Sequence, residues 1–293
     1  MFLAVASCTA KPAANSFFYA IVQMVADYFL LLAVKSIKMS LQSFNIFLIV
    51  MACVAVIVFV ALYFVDAGYG KFYNKKWGPA INNKVGWVLM EAPVFIAMLV
   101  IWLCSDRVGD LTRIAFLFLF ELHYFQRSFV FPFRIRGKSK MPLSIILMGM
   151  VFNTLNAIMQ GGWIFFISPD DYYAPSYLST PKFIIGFLIF LVGLFINIQS
   201  DDIIRNLRKP GDTKHYLPKE GMFKYVTSAN YFGEFLEWIG FAVLTWSWSG
   251  AVFALWTFAN LGPRAARIYD KYKAEFGDEL DTKKTKRIIP FIY

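Results

Sequence analysis

Few residues of this chain are suited to holding a metal or a covalent cross-link. There are two histidines, His123 and His215, and three cysteines, Cys8, Cys53 and Cys104. The cysteines sit in or beside apolar segments with no paired spacing, which argues against a disulfide framework and reads as small packing residues. Zinc and haem centres lack their usual ligands, and no metal site is expected. Charge is scarce too. Asp, Glu, Lys and Arg make up 16% of the residues, against roughly 25% in soluble domains. Neither a G-x-G-x-x-G nor a Walker A pattern occurs, which excludes Rossmann and P-loop nucleotide sites. No internal repeat is visible, which argues against most transporter folds.

Long apolar runs fill the space these residues leave. The chain is 58% hydrophobic, with 32 Phe and 8 Trp. Seven runs near the ~20 residues a bilayer core demands fall at 44–66, 86–104, 112–131, 142–167, 181–200, 226–247 and 249–263. Almost no loop separates the last two, so they should form a tight hairpin. The expected fold is therefore all-α: a polytopic membrane protein with seven transmembrane helices and cytosolic nucleotide-binding loops. Residues 1–43 read as an appendage. Their apolar stretch 16–34 carries Asp27 in its middle, so it spans, lies in the interface, or acts as a signal-like segment. Residues 44–293 form the membrane domain, with the cofactor site mainly in 120–293.

The net charge of +10 reports orientation rather than nucleic-acid binding. From residue 67 onward the lysines and arginines gather in the loops 67–85, 132–141 and 201–225 and in the tail after 263. The opposite face receives Arg107, Arg113 and Lys182, with Arg127 inside a span. That asymmetry places the C-terminus and the basic loops in the cytoplasm.

Several ionisable groups lie inside the apolar runs, where each costs roughly 2.5–3.5 kcal/mol near a helix centre. They include Glu91, Glu121, His123, Arg127, Glu234 and Glu237. One reading is mutual neutralisation, with Glu121 or Glu234 pairing Arg127. The other is a polar cavity facing a ligand. Glu91 has no basic neighbour in its own helix. An isolated carboxylic acid in such surroundings can keep its proton and donate a hydrogen bond to a carbonyl. The Tyr124 phenol is a second donor. Together they suit an oxyanion-type grip on a buried ketone.

The densest polar stretch is 196–238. There Asn197, Asp201, Asp202, Arg205, Arg208 and Lys209 crowd the end of the fifth run, Pro210-Gly211 breaks any helix, and Asn230 and Glu234 follow inside the next run. Three basic clusters converge on this face: Arg127 to Lys138, Arg205 to Lys209, and Arg264 with Arg267. Lipid headgroups account for most lysines. The arginines beside Asn197, Asp201 and Asn230 suit a nucleotide, with Arg for phosphate, Asp for a ribose hydroxyl and Asn for an amide or base edge.

In order along 65–293, these stretches resemble the steroid 5α-reductases, in the form of a bacterial-type member. The resemblance rests on GYGK (68–71), Glu91, HYFQR (123–127), Asn156 with Gln160-Gly161, NIQSDDIIRNLRKPG (197–211), YVTSANYFGEFLEWIG (225–240), Arg264 and the terminal IPFIY (289–293). It implies reduction of the C4–C5 double bond of 3-oxo-Δ4-steroids to the 5α product, with NADPH as cofactor. Glu91 and Tyr124 would grip the C3 carbonyl while hydride reaches C5 and C4 takes a proton. The residues matching the family's cofactor cradle are Tyr69, Arg127, Asn156, Asn197, Asp201, Arg208, Asn230, Glu234, Arg264 and Tyr272. The expected partners are a steroid or related enone lipid and membrane lipids, without nucleic acid and without an obligate protein partner. The chain departs from the pattern at Met90, where a Gln is common, and at Ile135, Lys138 and His215. Competing readings are a reductase of another sterol or enone double bond, a membrane S-adenosylmethionine-dependent methyltransferase of the isoprenylcysteine type, in which Glu91 and Tyr124 have no obvious task, and a non-enzymatic lipid-binding bundle.

Overall fold

The computed structural model describes residues 39–65, 68, 75–136, 139–207 and 214–293. Among these residues the chain is nearly all helix. Helix α1 is Leu41–Phe64, α2 Asn83–Leu103, α3 Leu111–Arg134, α4 Leu143–Ile167, α5 Pro181–Asn206, α6 Ala229–Thr245 and α7 Trp248–Phe276. The all-α expectation holds. Five of these helices, α1 to α5, are by length and composition apolar enough to cross a membrane. Helix α6 has only 17 residues, and α7 carries Arg264, Arg267, Asp270 and Lys271 through its second half.

Three boundaries also move. Helix α1 starts at Leu41, inside the stretch assigned to the appendage, because the Ser40 hydroxyl accepts the Ser43 N–H at 3.1 Å and caps it. Residues 1–38 lie outside the described residues. Helix α5 continues past its apolar run through Asp201, Asp202 and Arg205, since none of these breaks a helix. Helix α7 runs through Pro263 and stops at Gly277, whose φ of 51° suits the end of a helix.

The sequence pattern announces neither of two widened turns. Gln126–Val130 in α3 and Trp163–Ile167 in α4 are π-helical. Such turns are uncommon and are frequent at functional sites. A two-stranded antiparallel pair is also unannounced. Strands β1 (Ala80–Asn82) and β2 (Lys140–Pro142) align Ile81 with Met141 and bring the first turns of α2 and α4 together. These two helices then pack lengthwise, with Met90 seated on Gly149 and Ile101 on Gly161.

Helices α5 and α6 touch backbone to backbone. A Cβ on Gly193 would lie 2.3 Å from the Glu237 nitrogen, and one on Gly186 would lie 2.3 Å from that of Leu244. Close approach of this kind is how small residues hold membrane helices together. It also fixes Asn197 and Asp201 against Asn230. Gly193→Val should destabilise the fold by about 1–3 kcal/mol through overpacking, read as a lower thermal midpoint in detergent. An unchanged midpoint would contradict the packing described.

Helices α6 and α7 form the expected hairpin, turning at Trp246 with φ 47°. Ser247 caps α7 by accepting the Gly250 N–H at 3.1 Å. Helix α1 leans on α7. The Trp256 indole donates to the Met51 carbonyl at 2.7 Å, and Arg267 donates to the Leu62 and Tyr63 carbonyls at 3.3 and 2.8 Å. The Tyr293 hydroxyl closes the same corner 2.8 Å from that of Tyr63. Burial, and then Tyr63 itself, push the Tyr293 phenol up to about 12. At the other end Arg113, in the first turn of α3, is buried. It pairs with Asp110 and donates to the Ile164 and Pro169 carbonyls.

Candidate active site

All seven helices contribute to one cavity of about 1810 Å³. A single drug-sized ligand occupies roughly 300–1,000 Å³, so this space suits two ligands or one very long one. Its rim is polar, with Lys84, Arg134, Arg136, Asp202, Arg205 and His215. Its depth is apolar and aromatic, with Phe152, Trp238, Phe253 and Trp256. The rim coincides with the start of α2 and α6 and the end of α3 and α5, because the strand pair and the glycine contacts gather those ends on one side.

Glu91 and Tyr124 both line this cavity. The Tyr124 phenol lies within electrostatic reach of Glu91 and Glu234. Glu91 Oε2 accepts a hydrogen bond from Asn153 Nδ2 at 3.1 Å, and the same amide donates to the Met90 carbonyl at 2.8 Å. Tyr124 Oη accepts from Asn156 Nδ2 at 2.9 Å. Gln160 Nε2 lies 3.4 Å from Asn156 Oδ1 and donates to the Ser249 carbonyl at 3.0 Å. The phenol ring is boxed by Phe120, His123 and Trp238, with ring centroids 4.7, 5.0 and 5.7 Å away. His123 is held in turn, its Nδ1 2.9 Å from Glu237 Oε1.

Nearer the rim, Arg127 sits in the π-helical turn of α3. Its Nη1 is 3.4 Å from Asp201 Oδ2. Its guanidinium lies over Trp87 and Phe131 at 4.8 and 4.5 Å, a stacked arrangement that guanidinium favours. Asn230 Nδ2 donates to Asp201 Oδ1 at 3.0 Å, and Asn197 Nδ2 donates to the Asn230 carbonyl at 2.9 Å. Arg264 stands over Tyr231 at 5.5 Å. Buried polar atoms without a hydrogen-bond partner also belong to lining residues: Gln126 Oε1, Ser228 Oγ and Asn83 Oδ1. Groups left unmatched in a buried wall are costly unless something meets them.

Of the residues named from the sequence, Glu91, Tyr124, Arg127, Asp201, Asn230, Glu234, Arg264 and Tyr272 line this one cavity. Asn156 and Asn197 are buried, at 0% and 1% exposure, and each donates to a lining residue. Tyr69 and Arg208 lie outside the described residues, as does Lys138. Mutual neutralisation does not extend to Glu121, because neither of its carboxylate oxygens has a hydrogen-bond partner. Sequence reasoning passed over Asn153, Trp87 and Gln126. Asn153 had a usable signal, as a polar residue in an apolar run three positions before Asn156 and so on the same helix face.

Comparison with known proteins bears directly on this arrangement. The family described as 3-oxo-5-alpha-steroid 4-dehydrogenase matches residues 139–293. The chain is similar to 3-oxo-5-alpha-steroid 4-dehydrogenase 1 of Mus musculus, at 40% identity over 240 residues, covering 81% of this chain and 92% of that protein. Steroid 5-alpha-reductase DET2 of Gossypium hirsutum is 35% identical over 254 residues, covering 85% and 97%. The Homo sapiens 3-oxo-5-alpha-steroid 4-dehydrogenase 1 is 38% identical over 227 residues, covering 77% and 86%. These relatives come from animals and a plant and lend no weight to a bacterial type.

Proposed function

Because the chain belongs to the 3-oxo-5-alpha-steroid 4-dehydrogenase family and is an oxidoreductase, we propose that it reduces the C4–C5 double bond of 3-oxo-Δ4-steroids to the 5α product with NADPH. One observation carries this reading. A half-buried acid and a buried phenol line the same cavity whose rim holds the arginines. The steroid fits the depth, and a dinucleotide fits the rim.

The residues suit that cofactor. Arg127 and Arg264 are planar cations for phosphates, Asp201 an acceptor for a ribose hydroxyl, and Asn230 and Glu234 partners for an amide. The unpartnered Gln126 and Ser228 oxygens add further contacts. Arg208 and Tyr69 join this proposal from the resemblance, and Tyr272 from its place on the wall. Asn197 acts by holding Asn230. When bound, the nicotinamide supplies the hydride that C5 receives. Glu91 and Tyr124 donate hydrogen bonds to the C3 oxygen, where negative charge grows as C5 is reduced, and C4 then takes a proton. Donors already aimed at that oxygen lower the barrier without rearranging. The aromatic wall of Trp238, Phe152 and Phe253 excludes water from the enolate.

The protein is an integral membrane protein. Helices α6 and α7 complete a seven-span bundle in this reading, with the cofactor rim and the C-terminus in the cytoplasm, where the excess of Lys and Arg points. The test of function is purified protein in detergent, following loss of the nicotinamide absorbance band. The reading requires oxidation of NADPH that depends on a 3-oxo-Δ4-steroid, and it fails without such dependence. Arg264→Ala should weaken NADPH binding about tenfold or more, the scale of one charge-assisted contact, with NADH affected less. Titration of each cofactor decides this, and equal losses would remove Arg264 from phosphate recognition.

A further inference from the structure

Three amides stand at i, i+3 and i+7 on α4: Asn153, Asn156 and Gln160. That spacing puts them on one face of the helix. All three are buried, with Asn156 and Gln160 at 0% exposure. Their contacts lead to the two groups proposed to grip the steroid carbonyl, Asn153 to Glu91 and Asn156 to Tyr124. Each end of the stripe is anchored on a backbone carbonyl, which can only accept.

Those anchors fix the direction of every hydrogen bond between them. The Met90 carbonyl, 2.8 Å from Asn153, requires the NH₂ of that amide to face it. The same NH₂ then donates to Glu91 Oε2; the carbonyl oxygen of a carboxylic acid is its stronger acceptor, so this contact favours a proton on Oε1. The Ser249 carbonyl, 3.0 Å from Gln160, fixes that amide likewise. Turning Gln160 over would set two carbonyl oxygens against each other, a worse cost than leaving its Oε1 without a partner, as it is. The Gln160 NH₂ faces Asn156 Oδ1, so the Asn156 NH₂ faces Tyr124. An amide NH₂ cannot accept a hydrogen bond. The phenol hydrogen of Tyr124 therefore turns away from Asn156, and His123 Nδ1 is already committed to Glu237. The cavity is the direction left.

We propose that Asn153, Asn156 and Gln160 are positioning residues, an amide stripe whose fixed polarity turns the protons of Glu91 and Tyr124 toward the steroid carbonyl. This rests on the carbonyl-grip reading above. None of the three needs to touch substrate. Each acts by occupying the acceptor oxygen behind a donor, so that the donor's hydrogen is presented forward before the steroid arrives.

Asn156→Asp tests it, because a carboxylate or acid oxygen facing Tyr124 accepts the phenol hydrogen and draws it backward. Turnover should fall by about one to three orders of magnitude, the scale of a lost oxyanion donor, with steroid KM and NADPH binding changed little. The decisive readout is the C3 carbonyl stretch of a bound, ¹³C-labelled 3-oxo-Δ4-steroid. It should be lowered in the parent protein and return toward its free frequency in Asn156→Asp. Gln160→Met keeps the volume and frees Asn156 to turn over. It should move the band the same way, and it serves if the aspartate variant does not fold. Tyr124→Phe separates the two layers. If it leaves band and turnover unchanged, the carbonyl grip fails and the stripe with it. If it shifts both while the Asn156 and Gln160 variants shift neither, the stripe alone is overturned.

Discussion

Tyr124→Phe is expected to cut turnover with testosterone or progesterone by one to three orders of magnitude, the loss of one oxyanion donor, while NADPH binding survives. The variant removes one oxygen and little else. The ring keeps its contacts with Phe120, His123 and Trp238, so the wall of the cavity stays in place. Asn156 loses the acceptor 2.9 Å from its Nδ2, a cost of about 1–3 kcal/mol in stability for an unmet buried donor. A thermal midpoint therefore belongs beside the kinetics. Steady-state kinetics divide the outcomes. A fall in kcat and kcat/KM together marks an interaction made in the transition state, and a rise in KM alone marks ordinary binding. A loss confined to KM would contradict the proposed role.

Glu91→Gln is the companion result, again one to three orders of magnitude in turnover. The amide has nearly the shape of the acid. Its oxygen can still accept from Asn153, now with a carboxamide NH₂ facing the cavity. That group is a poorer donor to a developing enolate than a carboxylic acid, and it has no proton to share. Packing and cofactor affinity should hold, since the arginines of the rim are unchanged. Full turnover in Glu91→Gln would show that the carbonyl is held by something else. If instead cofactor affinity collapses while single-turnover chemistry is normal, Glu91 belongs to the rim rather than to the carbonyl.

Hydrophobic length placed five of the seven helices within a few residues, because an apolar run of bilayer length has little else to become. The failures share a cause. Length and composition say nothing of where a polar helix ends, so α5 runs on through Asp201 and Arg205, and α7 runs through Pro263 to Phe276. The π-helical turn at Gln126–Val130 has no signature in residue type, although it carries Arg127. At the site, Glu91 and Tyr124 were legible because a carboxylic acid and a paired donor stand out in an apolar run. Asn153 was not singled out, because one neutral amide in a membrane helix is cheap enough to pass unremarked. Its role appears only when the strand pair sets α2 against α4 and brings Met90 and Glu91 to it. Asn156 and Asn197 show the same limit from the other side. The resemblance names them for the cofactor, and the fold puts each behind the residue that faces the cavity.

The account's central claim is that hydride reaches C5 of a steroid whose C3 oxygen is held by an acid and a phenol. The most direct measurement is a single turnover of 3-oxo-Δ4-steroid with NADPH deuterated at both nicotinamide C4 positions, with the product analysed by NMR. The account predicts one deuterium at C5, on the α face, with the C3 ketone intact. Deuterium at a C3 carbinol carbon would mean that the carbonyl is attacked rather than gripped, and label on the β face of C5 would contradict the proposed outcome.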